Sequence, residues 1–348
     1  MKHKNLAIFI PHLGCPHRCS FCDQHCISGS VHAPSPEEVT ALCRDTLPSM
    51  GDPAHTQIAF FGGSFTALPR DYMLGLLEAV QPFLRDGLAG GIRLSTRPDY
   101  MDRETAALLA SYGVTAVELG AQSLWDPVLE VNERGHTARD VYRAAACVRA
   151  QGMELGLQMM TGLYGSTPET DLATGRGCIA MKPDTMRIYP TVVLPGTRLA
   201  RLYADGAYPM LPLSDMIDLC ARLLEECAAA GIRVIRCGLH AQDGVSENRI
   251  AGYYHPAFRE LCESRRLLRR MQAQIGTPEP GRIYAFRVHP AALSRSIGHK
   301  GCNRAWFAQQ GAVLRLIQDP ACGMEECIWE PGASVHRKET LACTGNHL

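Results

Sequence analysis

The feature that most constrains the fold is a regular alternation of short apolar runs with longer segments of helical periodicity, from the N-terminus to about residue 238. This alternation is typical of a parallel sheet whose strands are connected by crossover helices. It predicts an α/β fold, a partial (β/α)6 parallel barrel followed by a small C-terminal α/β module. The six predicted strands are Leu6–Ile10, Gln57–Phe61, Gly91–Ser95, Ala116–Gly120, Glu154–Met160 and Thr185–Tyr189, and a seventh is considered at Arg233–Cys237.

The predicted domains follow from these patterns and from breaks in them. A core barrel is expected over residues 1–238, a linker and helical segment over 239–281, a small basic module over 282–330 and a flexible tail over 331–348. Parallel barrels carry their chemistry at the carboxyl ends of the strands. The loops that follow each strand are therefore the first place to search for functional residues.

The cysteine content needs an explanation other than stability. The chain has 348 residues, of which 46% are hydrophobic and 20% charged, so it is not a disordered protein. At this length a hydrophobic core suffices without disulfides or a structural metal, yet there are 15 cysteines. No apolar run approaches the ~18 residues of a membrane span. We therefore expect a cytoplasmic protein with no membrane partner, whose thiols are mostly reduced.

Three of these cysteines are closely spaced directly after the first strand. Cys15, Cys19 and Cys22 form a C-x3-C-x2-C triplet, which can ligate three irons of a [4Fe-4S] cluster and leave the fourth iron open. A zinc site and coincidentally close thiols are the alternatives, but the nearby histidines and Cys26 show no four-ligand spacing. Cys26 is read as a bystander, and a second metal site at Cys322 and Cys327 with Cys302 or Cys343 stays open.

The triplet after a first strand resembles the radical S-adenosylmethionine (radical SAM) superfamily. In that superfamily the open iron chelates S-adenosylmethionine (SAM), which is cleaved to a 5′-deoxyadenosyl radical. The segment Phe60–Phe65 resembles the superfamily's glycine-rich motif, in which Gly62 and Gly63 let the methionine amine approach the backbone. Ser64 stands where an acid is usual, which implies recognition of the amine through backbone carbonyls.

Further strand ends resemble the catalytic subunit family of Elongator and, more loosely, oxygen-independent coproporphyrinogen oxidases. The matching segments are Leu94–Asp99, Val117–Ser123, Asn132–Thr137, Arg187–Thr191 and Pro195–Thr197. The resemblance implies that the cofactor's ribose and carboxylate are bound by side chains suited to them, an arginine fork and amide groups. The residues carried over are Gln122, Arg134 and Gln158, with Ser95 and Arg97 nearby.

The resemblance implies an enzyme that abstracts hydrogen from RNA, with transfer RNA as the preferred substrate and an electron donor such as flavodoxin or ferredoxin. Tyr189, at the end of the sixth strand, is the candidate catalytic pocket residue. Two features differ from the Elongator pattern: the cysteines are more closely spaced, and no acetyltransferase domain is expected after residue 238. The alternatives are a radical enzyme for a porphyrinogen-like small molecule and a non-catalytic iron-sulfur protein that binds RNA.

The C-terminal region has a charge asymmetry that the neutral total conceals. The stretch from Arg259 to Gln318 contains eleven basic residues and only three acids. This surplus of positive charge suggests a polyanionic partner. The order strand, helix, Gly298-His299-Lys300-Gly301, helix, strand resembles the core of a KH domain, whose GXXG loop clamps single-stranded RNA. A packing module with a basic helical hairpin is the alternative. The arginine stripe Arg265–Arg270 is read as a solvated face that could extend an RNA track.

Overall fold

The computed structural model describes residues 4–11, 13–15, 19–23, 32–239 and 248–333. Within them the chain forms two compact units, the first built from residues up to 212 and from 226 to 256. The strands of this unit are β1 (Lys4–Ile10), β2 (Thr56–Gly62), β3 (Gly91–Thr96), β4 (Val114–Gln122), β5 (Glu154–Thr161), β6 (Thr185–Pro190), β7 (Val192–Val193), β8 (Arg233–Cys237) and β9 (Ala251–Gly252).

The main sheet confirms the predicted fold class. It is a curled parallel sheet in the order β1-β2-β3-β4-β5-β6-β8, so the seventh strand considered from the sequence is present. The short strands β7 and β9 pair antiparallel apart from it. Because sequential neighbours pair in parallel along the main sheet, all the loops after the strands open at one edge.

Helices connect the strands, as the alternation of apolar runs with helical segments predicts. They are α1 (Pro36–Met50), α2 (Arg70–Arg85), α3 (Arg103–Ser111), α4 (Asp126–Val131), α5 (Ala138–Ala150), α6 (Pro168–Ala180), α7 (Arg198–Ala204) and α8 (Leu213–Ala229). Single 3-10 turns lie at Pro53–His55, Phe65–Ala67 and Pro98–Tyr100. Helix α1 begins at a capping box, in which the Ser35 hydroxyl accepts the Glu38 N–H and the Glu38 carboxylate accepts the Ser35 N–H.

The two faces of the main sheet differ in chemistry. One face carries fully buried aliphatic side chains such as Ile58, Leu94 and Leu119, each of which stabilises the fold by roughly 1.5–3 kcal/mol. Successive strand residues point to opposite faces. The other face, called the polar face below, therefore carries Glu118 and Arg187 among others.

The second unit has its own sheet and core. Its elements are α9 (Phe258–Ile275), β10 (Ile283–Val288), α10 (Leu293–Ile297), α11 (Cys302–Gln309), β11 (Val313–Gln318) and β12 (Cys327–Trp329), with 3-10 turns at Pro290–Ala292, His299–Gly301 and Pro331–Ala333. Strand β10 pairs in parallel with β11 and antiparallel with β12. The strand-helix-helix-strand order of residues 283–318 is as predicted, whereas β12 has no counterpart in the sequence analysis.

The boundary of the second unit differs from the predicted domains. Residues 213–225 and the chain from Ala257 onward group together, so the helical part of the segment 239–281 belongs to the second unit. The reason is the apolar side of α9: Leu268 and Met271 pack with Tyr284, Phe286 and Phe307 in one core cluster. The part of the predicted tail beyond residue 333 lies outside the described residues.

The arginine stripe of α9 is ion-paired and not simply solvated. Its partners are acids that precede or follow the stretch in which the basic surplus was counted, together with Glu263 of α9 itself. The pairs are Arg265 and Arg269 with Asp218, Arg266 with Glu225, Glu263 and Glu325, and Arg270 with Glu225 and Glu325. These pairs neutralise much of the charge asymmetry seen in the sequence. Among the described helices, none is long and apolar enough to cross a bilayer.

Candidate active site

The cysteine segment follows β1 at the edge where the loops open. Cys19 is buried, and Cys15 and Cys22 are half-buried; the Cys22 N–H donates to the Cys19 carbonyl oxygen at 3.1 Å. Residues 16–18, which connect the thiols, and Cys26 and Cys343 lie outside the described residues. Among the residues that are described, no group of three or more His, Cys, Asp or Glu side chains is positioned to hold a metal ion.

The electrostatic surroundings of the thiols are mixed. Burial raises the pKa of the Cys15 thiol and the neighbouring Cys19 raises it further, while the Arg134 guanidinium and the Ser64 backbone N–H oppose the shift. Arg134 also donates from Nη1 to the Cys19 sulfur at 3.3 Å. The raised pKa keeps the Cys15 thiol protonated until a positively charged metal centre displaces the proton.

The glycines after β2 have a structural role that the sequence did not indicate. The Gly63 N–H donates to the Ile10 carbonyl oxygen at 2.7 Å. A Cβ on Gly63 would lie 2.9 Å from that oxygen and would also collide with the Leu13 carbonyl, and a Cβ on Gly62 would lie 2.9 Å from the same Ile10 oxygen. The two glycines therefore let the cysteine segment pack directly on the end of β2.

Ser64 joins the ends of β2 and β3. Its hydroxyl bonds the Thr96 hydroxyl at 2.9 Å and accepts the Arg97 N–H at 3.1 Å. Arg97 is 2% exposed and forms a bidentate pair with Asp99, at 3.0 and 2.7 Å. Its remaining Nη1 is buried with no hydrogen-bond partner among the described residues. Ser95 lines a small cavity with Phe61, Gly63 and Ser64.

Gln122 and Gln158 meet at the ends of neighbouring strands. The Gln158 amide donates to Gln122 Oε1 at 2.7 Å. The register shifts at this point of β4, and Gln122 has a φ of 63°, a left-handed conformation that is rare and costly for a residue with a side chain. Such strain is typical of residues held in place for binding or catalysis.

Arg134 connects the cysteine segment to β4. Besides Cys19 it contacts the Gly120 carbonyl, to which Nη2 donates at 2.9 Å, while its Nε is buried without a partner in the described structure. Glu133 and Gly135 on either side have φ angles of 54° and 75°. This tight turn directs the guanidinium to the strand ends.

Asn132 is a positioning residue that sequence reasoning missed. The Ser20 hydroxyl donates to its Oδ1 at 2.6 Å, and the Ser20 N–H donates to its carbonyl at 3.0 Å. Its own amide donates to the carbonyls of Val128 and Tyr164, at 2.7 and 2.8 Å. Asn132 thus fixes the residue next to Cys19 to the loop that carries Arg134.

His136 was also missed as a functional residue, although it lies in the segment used for the family resemblance. The imidazole is 4% exposed, and Nε2 bonds the Ala121 carbonyl at 3.1 Å. Burial and the Arg134 charge lower the pKa of His136 to about 3. The ring is therefore neutral, and its Nδ1 is a buried acceptor with no partner within the described part of the chain.

Tyr189 lies on the polar face of the sheet. Its hydroxyl accepts a hydrogen bond from Arg187 Nη1 at 3.0 Å, and burial raises its pKa. Arg187 in turn pairs with Glu118 on β4. The structure thus brings the predicted pocket residue together with two charged residues that the sequence analysis did not single out.

The Gly298–Gly301 loop lies in the second unit, between α10 and α11. Gly298 and Gly301 have φ angles of 87° and 77°, and Lys300 one of 51°. A Cβ on Gly298 would lie 2.7 Å from the Asn303 nitrogen and 2.5 Å from the Cys302 sulfur, so this glycine is required for packing of the loop on α11. His299 lies 3.9 Å from Glu260.

Two family models match this chain. The model described as "Radical SAM superfamily" matches residues 9–174, and that described as "Radical_SAM C-terminal domain" matches residues 183–269. Together they cover more than half of the chain. The chain belongs to the radical SAM superfamily. It is accordingly a radical SAM enzyme, and the family implies a [4Fe-4S] cluster and SAM as cofactors.

The relatives of this radical SAM chain include one that is named for transfer RNA and one that is named for the Elongator complex. The "tRNA uridine(34) acetyltransferase" of Dehalococcoides mccartyi is 28% identical over 62% of this chain and 54% of its own length. Human "Elongator complex protein 3" is 30% identical over 47% of this chain and 34% of its own length. The chain thus spans about half of the first relative and a third of the second.

A solved structure supports the fold of this radical SAM chain. Archaeal Methanocaldococcus infernus Elp3, with its N-terminus deleted, superposes with a TM-score of 0.58 at 21% identity. The superposition covers 74% of this chain and 61% of that one. At this identity the likeness concerns the fold alone.

Proposed function

We propose that this radical SAM enzyme modifies transfer RNA, with Cys15, Cys19 and Cys22 binding a [4Fe-4S] cluster. The observation that carries the proposal is the convergence on Arg134, whose guanidinium hydrogen-bonds both the Cys19 sulfur and the end of β4. One side chain thus contacts both the proposed cluster ligand Cys19 and the end of β4. The RNA substrate is supported by the name of the first relative, a transfer RNA uridine acetyltransferase.

The residues present suit both cofactors. When bound, the cluster supplies the electron that cleaves SAM into methionine and a 5′-deoxyadenosyl radical. The buried, unpartnered donors Arg97 Nη1 and Arg134 Nε suit the carboxylate of SAM, because a buried donor left unpaired is costly. The paired amides of Gln122 and Gln158 suit the ribose hydroxyls.

The remaining strand-end residues frame this site. Gly62 and Gly63 hold the cysteine segment against β2, while Ser64 and Ser95 line the cavity beside it. We assign the methionine moiety of SAM to this side. Tyr189 is assigned to the substrate, because it lies on the polar face beyond the amide pair.

Transfer RNA is proposed to contact the second unit at the Gly298–Gly301 loop. Lys300 and Arg304 are exposed there and, in the described part of the chain, make no ion pair, unlike the arginines of α9. Cations that are not neutralised internally can bind phosphates. Gly298, His299 and Gly301 give the loop its shape, which lets phosphate approach the backbone as in a GXXG loop.

The proposal is tested by anaerobic reconstitution with iron and sulfide, followed by reduction in the presence of SAM. Flavodoxin or ferredoxin is the proposed physiological donor, and dithionite replaces it in the assay. We expect 5′-deoxyadenosine release that rises when transfer RNA is added, and no release from the Cys15→Ala variant. Mass spectrometry of transfer RNA nucleosides from cells with and without the gene should then show one modified nucleoside missing from the deletion strain. An unchanged nucleoside profile, together with release that RNA does not stimulate, contradicts the proposal.

A further inference from the structure

The end of β4 departs from regular strand geometry at Ala121. Successive residues of β5 pair first with Gly120 and then with Gln122, so Ala121 is an extra residue with no register partner of its own on that strand. Bulges of this kind occur beside active sites, where they redirect a side chain. Here the redirected side chain is that of Gln122, whose amide oxygen accepts a hydrogen bond from Gln158 at 2.7 Å.

A tight turn follows, centred on Gln122. The Ser123 N–H donates to the Ala121 carbonyl at 2.8 Å, two residues back along the chain, and Gln122 has a φ of 63°. A hydrogen bond over two residues together with a positive φ is typical of the rarer, strained form of γ-turn. Such strain persists only where the surrounding structure holds the backbone in place. The groups that hold this turn are therefore part of the site.

Two side chains from the loop before α5 hold the turn from one side. His136 donates from Nε2 to the Ala121 carbonyl at 3.1 Å, and Arg134 donates from Nη2 to the Gly120 carbonyl at 2.9 Å. Gly135 lies between them with a φ of 75°, and the turn at this glycine lets both side chains reach successive carbonyls. Because a carbonyl only accepts, its bond fixes the hydrogen of the imidazole on Nε2.

Thr174 of α6 holds the chain on the other side of the turn. Its hydroxyl accepts the Leu124 N–H at 3.1 Å and lies 3.3 Å from the Ser123 hydroxyl. Thr174 and Ser123 are both 2% exposed. The turn is thus fixed from two helical segments, and the side chain that contacts the carbonyl closing it is that of His136.

Resting on the assignment of the Gln122 and Gln158 amides to the ribose of SAM, we propose that His136 is a positioning residue for SAM binding. Its hydrogen bond to the Ala121 carbonyl keeps the strained turn closed, and the closed turn keeps the Gln122 amide beside Gln158. Without this donor a buried carbonyl loses a partner, and Gln122 can relax to a negative φ that points its amide elsewhere. His136 thus acts on SAM binding through Gln122.

The variants His136→Leu and His136→Gln test this role. Leucine removes the donor, whereas the glutamine amide can place an N–H where Nε2 of the imidazole lies. His136→Phe keeps a ring without the donor, and it replaces the leucine variant if that one does not fold.

The measurement is SAM binding without turnover. The reconstituted full chain, with its cluster left oxidised, is titrated with SAM by anaerobic isothermal titration calorimetry, and the dissociation constant is expressed per loaded cluster. We expect it to rise by about 10-fold in His136→Leu, as for the loss of one buried hydrogen bond. In His136→Gln, which keeps a donor, it should rise by about 2-fold or less.

A double-mutant cycle shows whether His136 acts through Gln122. Gln122→Gly removes the amide and also the strain, because glycine adopts a positive φ freely, and it should weaken SAM binding by itself. Adding His136→Leu to Gln122→Gly should then have little further effect, since the effects of coupled residues are not additive. A ring that served only as packing would cost as much in the glycine background as in the wild type.

Gln81 is the matched control, at the opposite end of the same strand. Its amide donates to the Tyr112 carbonyl at 3.0 Å, just before β4 begins at Val114. Gln81→Met removes this donor from a half-buried side chain and should leave the SAM dissociation constant unchanged. Equal weakening by Gln81→Met and His136→Leu would mean a general disturbance of the strand and overturns the inference.

The outcomes separate this inference from the proposed function. Wild-type affinity in a donor-free His136 variant that folds and loads its cluster overturns the inference alone. An equal loss in His136→Gln, or a loss that persists in full beside Gln122→Gly, also overturns it. Wild-type affinity in Gln122→Gly overturns the assignment of Gln122 to SAM, and this inference with it. Because the titrations contain no RNA, their result does not depend on whether transfer RNA is the substrate.

Discussion

At the scale of single residues, Gly62 and Gly63 at the end of β2 show that a site can depend on the lack of a side chain. Gly63 brings β2 and the cysteine segment together at a distance that no other residue allows. Gly63→Ala would push the Ile10 and Leu13 carbonyls, and the cysteine segment that carries Leu13, away from the end of β2. We expect a variant that retains its fold but assembles much less cluster, by about 10-fold or more if the thiols are displaced by an ångström.

The measurement is iron and sulfide per chain after anaerobic reconstitution, with far-ultraviolet circular dichroism as a check on folding. Gly332→Ala is a suitable control, because a Cβ there meets nothing within 4 Å. Full iron incorporation in Gly63→Ala would show that the cysteine segment tolerates displacement.

Single residues also mark where sequence reasoning ends. The cysteine triplet could be found because its members are neighbours in the chain. Asn132 could not, because the contact that defines its role joins it to Ser20, 112 residues away. His136 was visible in the motif, but its burial and lowered pKa depend on packing against Arg134 and Ala121. Spacing along the chain can indicate candidate ligands, but it cannot indicate the residues that position them.

At the scale of elements, the turn between β5 and α6 depends on one buried carboxyl. Asp171 is 2% exposed, and its Oδ2 accepts the Gly162 N–H at 2.7 Å. Burial raises its pKa to about 7, although the hydrogen bonds from Gly162 and Ser166 oppose the shift. The folded state therefore binds a proton that the unfolded state has already lost. The stability linked to this proton is full below about pH 4 and is lost as pH rises to about 7.

Asp171→Asn should remove this dependence, because the neutral amide keeps an acceptor for the Gly162 N–H. Relative to the wild type, we expect the free energy of unfolding of the variant to rise by about 2 kcal/mol between pH 5 and pH 8. Urea denaturation of the apoprotein at the two pH values measures it. Asp102→Asn is the contrasting control: the N-cap hydrogen bonds lower the pKa of Asp102, so its carboxylate is ionised in the folded and unfolded states at both pH values, and the cost of removing it should be the same at pH 5 and pH 8. A parallel response of the two variants would contradict the assignment.

The elements also show which parts of the fold are readable from sequence. The strands of the main sheet are buried apolar runs, so composition and length identify them. Helix α9 lies in the stretch predicted to be a linker and helical segment, and its arginines were read as a solvated face. Its apolar residues, such as Leu268 and Met271, become a core only against β10 and α11. The sequence of one segment does not show which surface that segment will pack against.

At the scale of the whole molecule, the net charge of zero does not mean that a basic surface balances a separate acidic one. Many of the arginines are paired with acids from other parts of the chain. Asp218, Glu225 and Glu325 lie outside the stretch of residues 259–318 and neutralise arginines within it. Counting charges along the chain therefore overestimates what is available to a polyanion. Among the described residues of this stretch, the cations without an ion pair are Arg295, Lys300, Arg304 and Arg315, and the first three lie in or beside the Gly298–Gly301 loop in the chain.

The last prediction concerns these cations. The double variant Lys300→Gln with Arg304→Gln should weaken transfer RNA binding and reduce the slope of log affinity against log salt by about 1.4, because each contact to a single-stranded phosphate contributes about 0.7. Arg269→Gln removes a guanidinium of similar exposure that is held by Asp218, so it should leave the slope unchanged. Gly298 substitutions are unsuitable as tests, because a Cβ collides with α11 and would disturb the unit itself. Equal slopes in the double variant and the wild type, or a reduced slope in Arg269→Gln, would place the RNA on another surface.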